Sequence, residues 1–375
     1  MKKVYIIQRV MVNYRISFLN QLRDVLRKRN IKLNLIYGCG NEADRKRGYL
    51  ANLPWGLSIP ERYIKIGTEY IVFQPYLRYL RNADLVIMPQ EMKLLLNYFL
   101  LLKKKFSQLK LAYWGHIINC QQDQDGLRNK IKQKLNNVAD WWFAYTNGEA
   151  KLLESGGFPP TRITVVENCI DQNSLLRIKA SLKKEEVDKV RSSLGIKPGQ
   201  VVCLYCGGMY KEKRLDFLWE ACQRIKKQLP DFHMIFVGGG THENEVRAMC
   251  RENPWAHFVG PKFGQEQILY FMLSDLLLMP GRAGLVILDS FGLEVPLVTT
   301  QHAFHSPEIE YLENGHNGIV TKDSVKDYSR TVLQYLSESQ SLESLKRGCR
   351  VSADRYSIEQ MVENFSDGII RCLNS

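Results

Sequence analysis

The sequence contains no apolar run approaching the ~20 residues that a membrane-spanning helix needs. Its most apolar stretch, Leu94 to Leu102, stops at Lys103, Lys104 and Lys105, which excludes a bilayer-crossing helix there. The N-terminal apolar segment breaks at Gln8 and Arg9, short of a signal-peptide core, so the chain is expected in the cytoplasm. Regular cysteine spacing is also missing. The nine cysteines are odd in number and scattered from Cys39 to Cys372, which argues against a disulfide scaffold and for reduced, buried thiols. Cys203 and Cys206 lie in a strand-like run, where the period of two sends their side chains to opposite faces, so no metal or redox pair is expected. Acidic residues are scarce in one half only. Residues 1–170 hold 27 basic and 13 acidic residues, whereas residues 171–375 hold 25 and 26, so the whole net charge of +13 comes from the first half. Nucleic acid, an anionic membrane or a phosphorylated ligand would each suit that field, but no nucleic-acid recognition motif or aromatic–basic platform accompanies it. Nucleic acid therefore ranks last, and no nucleic-acid partner is expected.

What the sequence does have is a hydrophobic content of 45% and a length suited to two domains. Short β-branched or apolar runs alternate with amphipathic ones, the pattern of parallel sheets covered by helices. In the first half the spacing predicts strands at Val4 to Val10, Lys32 to Tyr37, Tyr63 to Ile66, Asp84 to Pro89, Leu109 to Trp114, Trp142 to Thr146 and Ile163 to Asn168. The pattern restarts at Val201 after a polar segment without a strand signal. The expected organisation is an α/β protein with two Rossmann-like, doubly wound domains. Residues 1–172 form the first, 173–200 a linker and 201–356 the second, and an amphipathic helix at 357–375 has no strand after it.

In the second half, the run Cys206-Gly207-Gly208-Met209-Tyr210-Lys211-Glu212-Lys213-Arg214 joins a strand to a helix. Two glycines let backbone approach a ligand, and Lys211, Lys213 and Arg214 arrive where the helix N-terminus adds positive potential, which outlines a diphosphate site. An ordinary turn with solvated lysines has the same local sequence. A second loop, Gly281-Arg282-Ala283-Gly284, opens an apolar helix beginning at Leu285. Its free N–H groups suit an anion, and Asp289 among hydrophobes needs a partner, either a ligand hydroxyl or a nearby backbone N–H.

The order of these motifs resembles the GT-B glycosyltransferases of family 4, also called glycosyl transferases group 1. Lys213 with Leu215-Asp216-Phe217-Leu218 is similar to the family's first signature, and Gly284 to Asp289 with Pro296-Leu297-Val298 to its second. Glu308 to Gly318 and Val165 to Asp171 resemble two further segments, so the likeness covers most of residues 140–320 in order. The resemblance implies two domains facing a central cleft, with the C-terminal helix at 357–375 crossing back to the first domain. A nucleotide diphosphate sugar would bind at Gly207, Gly208, Lys211, Lys213, Arg282, Ala283, Gly284, Leu285 and Asp289. It further implies retaining transfer to a hydroxyl, with no cofactor and no metal ion. In the first half, His116 at a strand end matches the family's functional histidine, which hydrogen-bonds the donor sugar near its reacting carbon. Asn13, Tyr14 and Arg15, after the first strand, resemble the segment near donor phosphate and acceptor. Glu91 is a further cleft candidate from its place after a strand. His116, Lys213 and Asp289 are the expected catalytic residues.

Two positions depart from the family pattern. Gly208 stands where arginine is usual, and Gly281 where the first glutamate of E-x7-E is usual. That glutamate contacts the transferred sugar in the family, so Gly281 implies either an unusual donor held by the backbone of Arg282 to Leu285 or reduced activity. The basic runs Arg27 to Arg29, Arg45 to Arg47, Lys103 to Lys105 and Arg128 to Lys134 suit solvated helix faces. Together they also suit an anionic leaflet and a saccharide or polyprenyl-diphosphate-linked acceptor. The reading is a glycosyltransferase of bacterial surface-polysaccharide assembly, such as O-antigen, lipopolysaccharide or capsule, peripheral at the inner face of the cell membrane. A nucleotide-sugar epimerase of the same fold and a catalytically weakened nucleotide-sugar-binding subunit are the alternatives.

Overall fold

The computed structural model of the protein describes residues 1–46, 50–67, 69–117, 134–301 and 304–375. They divide into two compact units, Met1–Ile170 with Ile358–Ser375, and Asp171–Ser357. Arg47 and residues 128–133, from two of the basic runs, lie outside the described residues.

The first unit contains β1 (Lys2–Gln8), α1 (Ile16–Lys28), β2 (Ile31–Tyr37), α2 (Glu42–Lys46), β3 (Leu57–Ser58), β4 (Arg62–Ile66), β5 (Glu69–Phe73), β6 (Leu85–Met88), α3 (Leu95–Lys104), β7 (Lys110–Trp114), β8 (Trp141–Ala144), α4 (Asn147–Ser155) and β9 (Ile163–Val165). Seven of its strands form one sheet in the order β3-β2-β1-β6-β7-β8-β9, with every pairing parallel. Strands covered on both faces need no polar alternation, and β6 (Leu-Val-Ile-Met) and β8 (Trp-Trp-Phe-Ala) are buried along their whole length. Tyr63 to Ile66, expected in this sheet, instead pairs antiparallel with β5 as a separate hairpin whose outer residues Ile64, Ile66 and Tyr70 are exposed.

The second unit opens with α5 (Gln172–Ser181) and α6 (Lys184–Ser193). It continues with β10 (Val201–Cys206), α7 (Leu215–Gln228), β11 (Phe232–Val237), α8 (Glu243–Arg251), β12 (Ala256–Gly260), α9 (Gln265–Met272), β13 (Leu276–Leu278), α10 (Val286–Leu293), β14 (Leu297–Thr300), β15 (Gly318–Thr321), α11 (Val325–Ser337) and α12 (Ser339–Arg355). Its sheet is parallel, ordered β12-β11-β10-β13-β14-β15. Residues 173–200, read from the sequence as a linker, are folded into this unit. The Gln172 amide donates to Leu288 O at 2.8 Å, and Lys179 pairs with Glu294 at 3.0 Å, so α5 lies on α10. A polar surface on a short helix looks like a linker when its buried contacts come from far along the chain.

The last helix, α13 (Ile358–Asn374), packs in the first unit against α1, β8 and β9. Phe365 stacks on Phe143 at 4.2 Å between ring centres and meets Trp114 and Phe18 edge-on. Among the described residues no helix is long and apolar enough to cross a membrane.

Both sheets reverse their strand order once, at β1/β6 and at β10/β13. The loops leaving the carboxyl ends of those strands border a crevice, where doubly wound sheets bind ligands. In the first unit the loops carry Arg9 to Arg15 and Pro89 to Glu91, and in the second Gly207 to Lys213 and Met279 to Leu285.

Candidate functional site

In the second unit, β10 ends at Cys206, and Gly207 and Gly208 let the chain turn into a short 3-10 turn, Lys211–Lys213, ahead of α7. Contact with the neighbouring loop is close: a Cβ at Gly238 would lie 1.9 Å from Gly207 O, so only glycine fits there. Gly208 is exposed, and a Cβ on it would meet the Tyr210 ring at 3.0 Å. A larger residue at 208 would therefore press on the Tyr210 ring, whose centre lies 5.4 Å from Lys213 Nζ.

Lys213 is 7% exposed. Its Nζ donates to Arg282 O at 2.5 Å and touches Met279 Sδ at 3.8 Å, and it forms no ion pair among the described residues. Burial, and then the Arg282 charge, draw the ammonium down to about 8. Lys211 is exposed on the same turn. Arg214 is turned away, paired with Asp323 and lying over the Phe217 ring, so its charge is neutralised elsewhere.

The second loop fits against this turn. A Cβ at Gly281 would stand 2.4 Å from Glu212 O and 2.5 Å from Lys213 C. The missing glutamate therefore has a steric cause: backbone fills the space. Arg282 N–H donates to Glu212 O at 2.8 Å, and its Nε to Ser306 Oγ at 3.2 Å. Ala283 N–H donates to His305 Nδ1 at 3.2 Å, so the proton of that ring sits on Nε2, 2.8 Å from Thr300 O. These bonds correct the expectation that Arg282 and Ala283 offer backbone N–H groups to a ligand. Among the described residues, the N–H groups of Gly284 and Leu285 remain without a carbonyl partner at the N-terminus of α10. Asp289, one turn into that helix, is half-buried, and desolvation pushes its carboxyl up to about 7. At the end of β10, burial raises the Cys206 thiol, with Asp289 adding to the rise and Lys213 opposing it. Tyr210, His305 and Ser306 were not singled out by the sequence, because nothing local marks a side chain that closes a loop from a distance.

In the first unit, Asn13 and Tyr14 are exposed, and Arg15 is 5% exposed. The Arg15 guanidinium lies 4.6 Å from the Trp114 ring centre, 5.3 Å from that of Tyr14 and 5.7 Å from that of Tyr145. Its Nη1 and the Trp114 Nε1 are buried without a hydrogen-bond partner among the described residues. His116 follows β7 with half its side chain exposed, its Nδ1 3.6 Å from Glu149 Oε1. Glu149 is buried and held by Tyr145 N–H at 3.0 Å, a placement the sequence did not reveal. Glu91 pairs with Lys93 at 3.0 Å. Among the described residues no group of three or more His, Cys, Asp or Glu side chains is arranged to hold a metal ion.

Residues 200–338 match the family model described as glycosyl transferases group 1. The second unit is a group 1 glycosyltransferase domain. The chain is 23% identical over 226 residues to alpha-galactosylglucosyldiacylglycerol synthase of Streptococcus pneumoniae (strain ATCC BAA-255 / R6), covering 57% of this chain and 56% of that protein. It is 20% identical over 187 residues to alpha-monoglucosyldiacylglycerol synthase of Acholeplasma laidlawii, covering 48% and 46%. The chain thus spans about half the length of the curated relatives it matches. The solved structure of Anabaena Alr3699/HepE in complex with UDP superposes with a TM-score of 0.73 at 14% identity, over 99% of this chain and 100% of that one. At that identity the likeness concerns the fold, which is the GT-B fold, and the group 1 domain supplies its second α/β unit.

Proposed function

We propose that the protein is a retaining glycosyltransferase that moves a sugar from a nucleotide diphosphate sugar to a hydroxyl of a lipid-linked or saccharide acceptor, in bacterial surface-polysaccharide or glycolipid assembly. The observation that carries this reading is Lys213, a buried ammonium that forms no ion pair among the described residues, beside the N-terminus of α10. A buried charge of this kind is poorly stabilised until an anion arrives. A diphosphate suits it, taking hydrogen bonds from Nζ and from the N–H groups of Gly284 and Leu285 as negative charge grows on the leaving group. Asp289 accepts from a ribose hydroxyl, and Lys211 and the Arg282 side chain add positive potential. The acceptor oxygen bonds to the anomeric carbon on the face from which the diphosphate departs, and the acceptor's proton passes to the departing diphosphate oxygen. No protein nucleophile takes part. In the first unit, His116, oriented by Glu149, hydrogen-bonds the transferred sugar, and the Arg15 guanidinium takes a phosphate oxygen beside Asn13 and Tyr14. The similarity to two glycosyldiacylglycerol synthases and the UDP held by HepE support a nucleotide-sugar donor and a glycolipid-type acceptor.

The same proposal puts the protein at the inner face of the cell membrane. Its support is α3 and the turn after it, where Tyr98, Phe99, Leu102 and Phe106 are exposed next to Lys103, Lys104 and Lys105.

Thermal shift against a panel of nucleotide sugars, followed by transfer assays, tests the reading. Lys213→Ala is expected to lower turnover at least ~100-fold. Asp289→Ala is expected to weaken nucleotide binding, and His116→Ala to lower kcat with donor affinity kept. Wild-type behaviour in all three sinks the site, and inversion at the anomeric carbon in the product sinks the stereochemistry. Gly281 favours one second reading, a donor-binding subunit with little turnover, which tight donor binding without transfer to any acceptor would support.

A further inference from the structure

The loop that carries the Gly284 and Leu285 N–H groups is held from two sides. On one side is the 211–213 turn, where Glu212 O accepts from Arg282 N–H and Lys213 Nζ donates to Arg282 O. On the other is the segment that follows β14. There Ser306 N–H donates to Ala283 O at 2.9 Å and Ala283 N–H donates to His305 Nδ1 at 3.2 Å, so both backbone groups of Ala283 are taken. His305 is tied in turn to Thr300, which is fully buried. The ring donates from Nε2 to Thr300 O at 2.8 Å, and the Thr300 hydroxyl donates to Pro280 O at 2.7 Å. Thr300 therefore fixes the start of the loop directly and its middle through an imidazole.

An imidazole bonded in this way is neutral. Its Nδ1 accepts with the lone pair that a second proton would take, and that proton would set two N–H groups against each other at Ala283. Histidine gains such a proton at roughly pH 5–8, so the contact is sensitive within an ordinary range. The charged groups on the surrounding elements are Arg282 on the loop, Lys213 on the turn, Asp289 on α10, Glu308 and Glu310 on the 3-10 turn Pro307–Tyr311, and Lys322 and Asp323 just beyond β15. Arg282 and Lys213 oppose a third positive charge, whereas Glu308, whose Oε2 lies 3.8 Å from where a Cβ on Gly284 would stand, favours one. Lys213 is not a source of change below about pH 8, because its ammonium keeps its proton there.

We propose that His305 is a positioning residue that acts as a proton-sensitive latch on the anion-binding loop. Neutral, it holds Ala283 so that the next two N–H groups stay in place; protonated at Nδ1, it releases the loop, and nucleotide affinity falls as the pH is lowered. The effect on nucleotide rests on the donor reading above, whereas the latch itself does not.

NMR of the isotope-labelled wild type without ligand tests the latch. The His305 ring is expected as the Nε2–H tautomer at about pH 8, and the Ala283 amide resonance is expected to shift with the same midpoint as the ring as the pH is lowered. A ring protonated on Nδ1 at the start, or an Ala283 amide that stays put while the ring titrates, overturns it. Calorimetry with UDP tests the consequence. Asp289, pushed up to about 7, and the terminal phosphate of UDP titrate in the same range, so the quantity read is the difference between wild type and variant. His305→Asn places a carbonyl oxygen near the Nδ1 position and does not titrate. Between about pH 8 and about pH 5.5 the wild type is expected to lose ~5–10-fold more affinity than this variant. His305→Gln keeps a donor for Thr300 but no acceptor for Ala283, and its affinity is expected to be down ~5-fold already at about pH 8. Parallel pH profiles for wild type and His305→Asn overturn the control of binding by His305. Absence of UDP binding to the wild type at every pH overturns the donor reading, and the NMR result then still decides the latch.

Discussion

Lys213 exchanges most of its water for one carbonyl and a thioether, and its proton is held only to about 8, against 10.5 for an ordinary lysine. Between those two values the unfolded chain binds more protons than the folded one, so stability rises with pH across that window and is flat below it. A bound diphosphate reverses the preference by pairing with the ammonium. Above about pH 8, UDP affinity is expected to fall up to ~10-fold per unit, measured by calorimetry, and Lys213→Met removes that fall. Gly281 is constrained by packing. With a Cβ 2.4 Å from Glu212 O, Gly281→Glu is expected to displace the 211–213 turn and destabilise the fold by about 1–3 kcal/mol in chemical denaturation. Donor turnover in that variant should fall. A gain would show that the loop accommodates the carboxylate common in the family.

At the scale of elements, α13 completes the first unit by covering β8 and β9 and packing on α1. Phe365 is fully buried against Phe143, Trp114 and Phe18, and Phe365→Ala is expected to destabilise by about 3–5 kcal/mol in urea denaturation. The same loss disturbs Trp114, on which the Arg15 guanidinium lies. The opposite case is α3, which buries Leu96, Asn97 and Leu100 and leaves Tyr98, Phe99 and Leu102 outside. Lys103 donates to Leu80 O at 2.9 Å and Lys104 pairs with Asp140 at 2.8 Å, so two cations of that run also serve the fold. The triple change Phe99→Ser, Leu102→Ser and Phe106→Ser is expected to reduce flotation with anionic vesicles while leaving the melting temperature within a few degrees of wild type.

For the whole molecule, the charge imbalance belongs to residues 1–170, the greater part of the first unit. In the proposed reading a near-neutral second unit binds its anion with a few placed groups, Lys213 foremost, whereas residues 1–170 carry the positive excess. Retention on anionic vesicles at ~50 mM salt and release by ~500 mM is the expected outcome of a sedimentation assay, since screening shortens with ionic strength. Retention that ignores salt would assign the contact to the apolar face of α3 alone.

The amino-acid sequence by itself determined the repeating strand–helix pattern, the restart at Val201 and the two glycine-bearing loops of the second unit, because periods of two and 3.6 and runs of glycine act locally. Lys213 and Asp289 were legible for the same reason, as charges at a strand end and in an apolar helix. Only the tertiary structure decided that residues 173–200 belong to the second unit, that Gly281 has no room for a side chain, and that His305 occupies the Ala283 N–H. It also paired Arg214 with Asp323. Each of these depends on partners brought together from separate stretches of chain, and the identity of a hydrogen-bond partner is not encoded in the periodicity of the segment that seeks it.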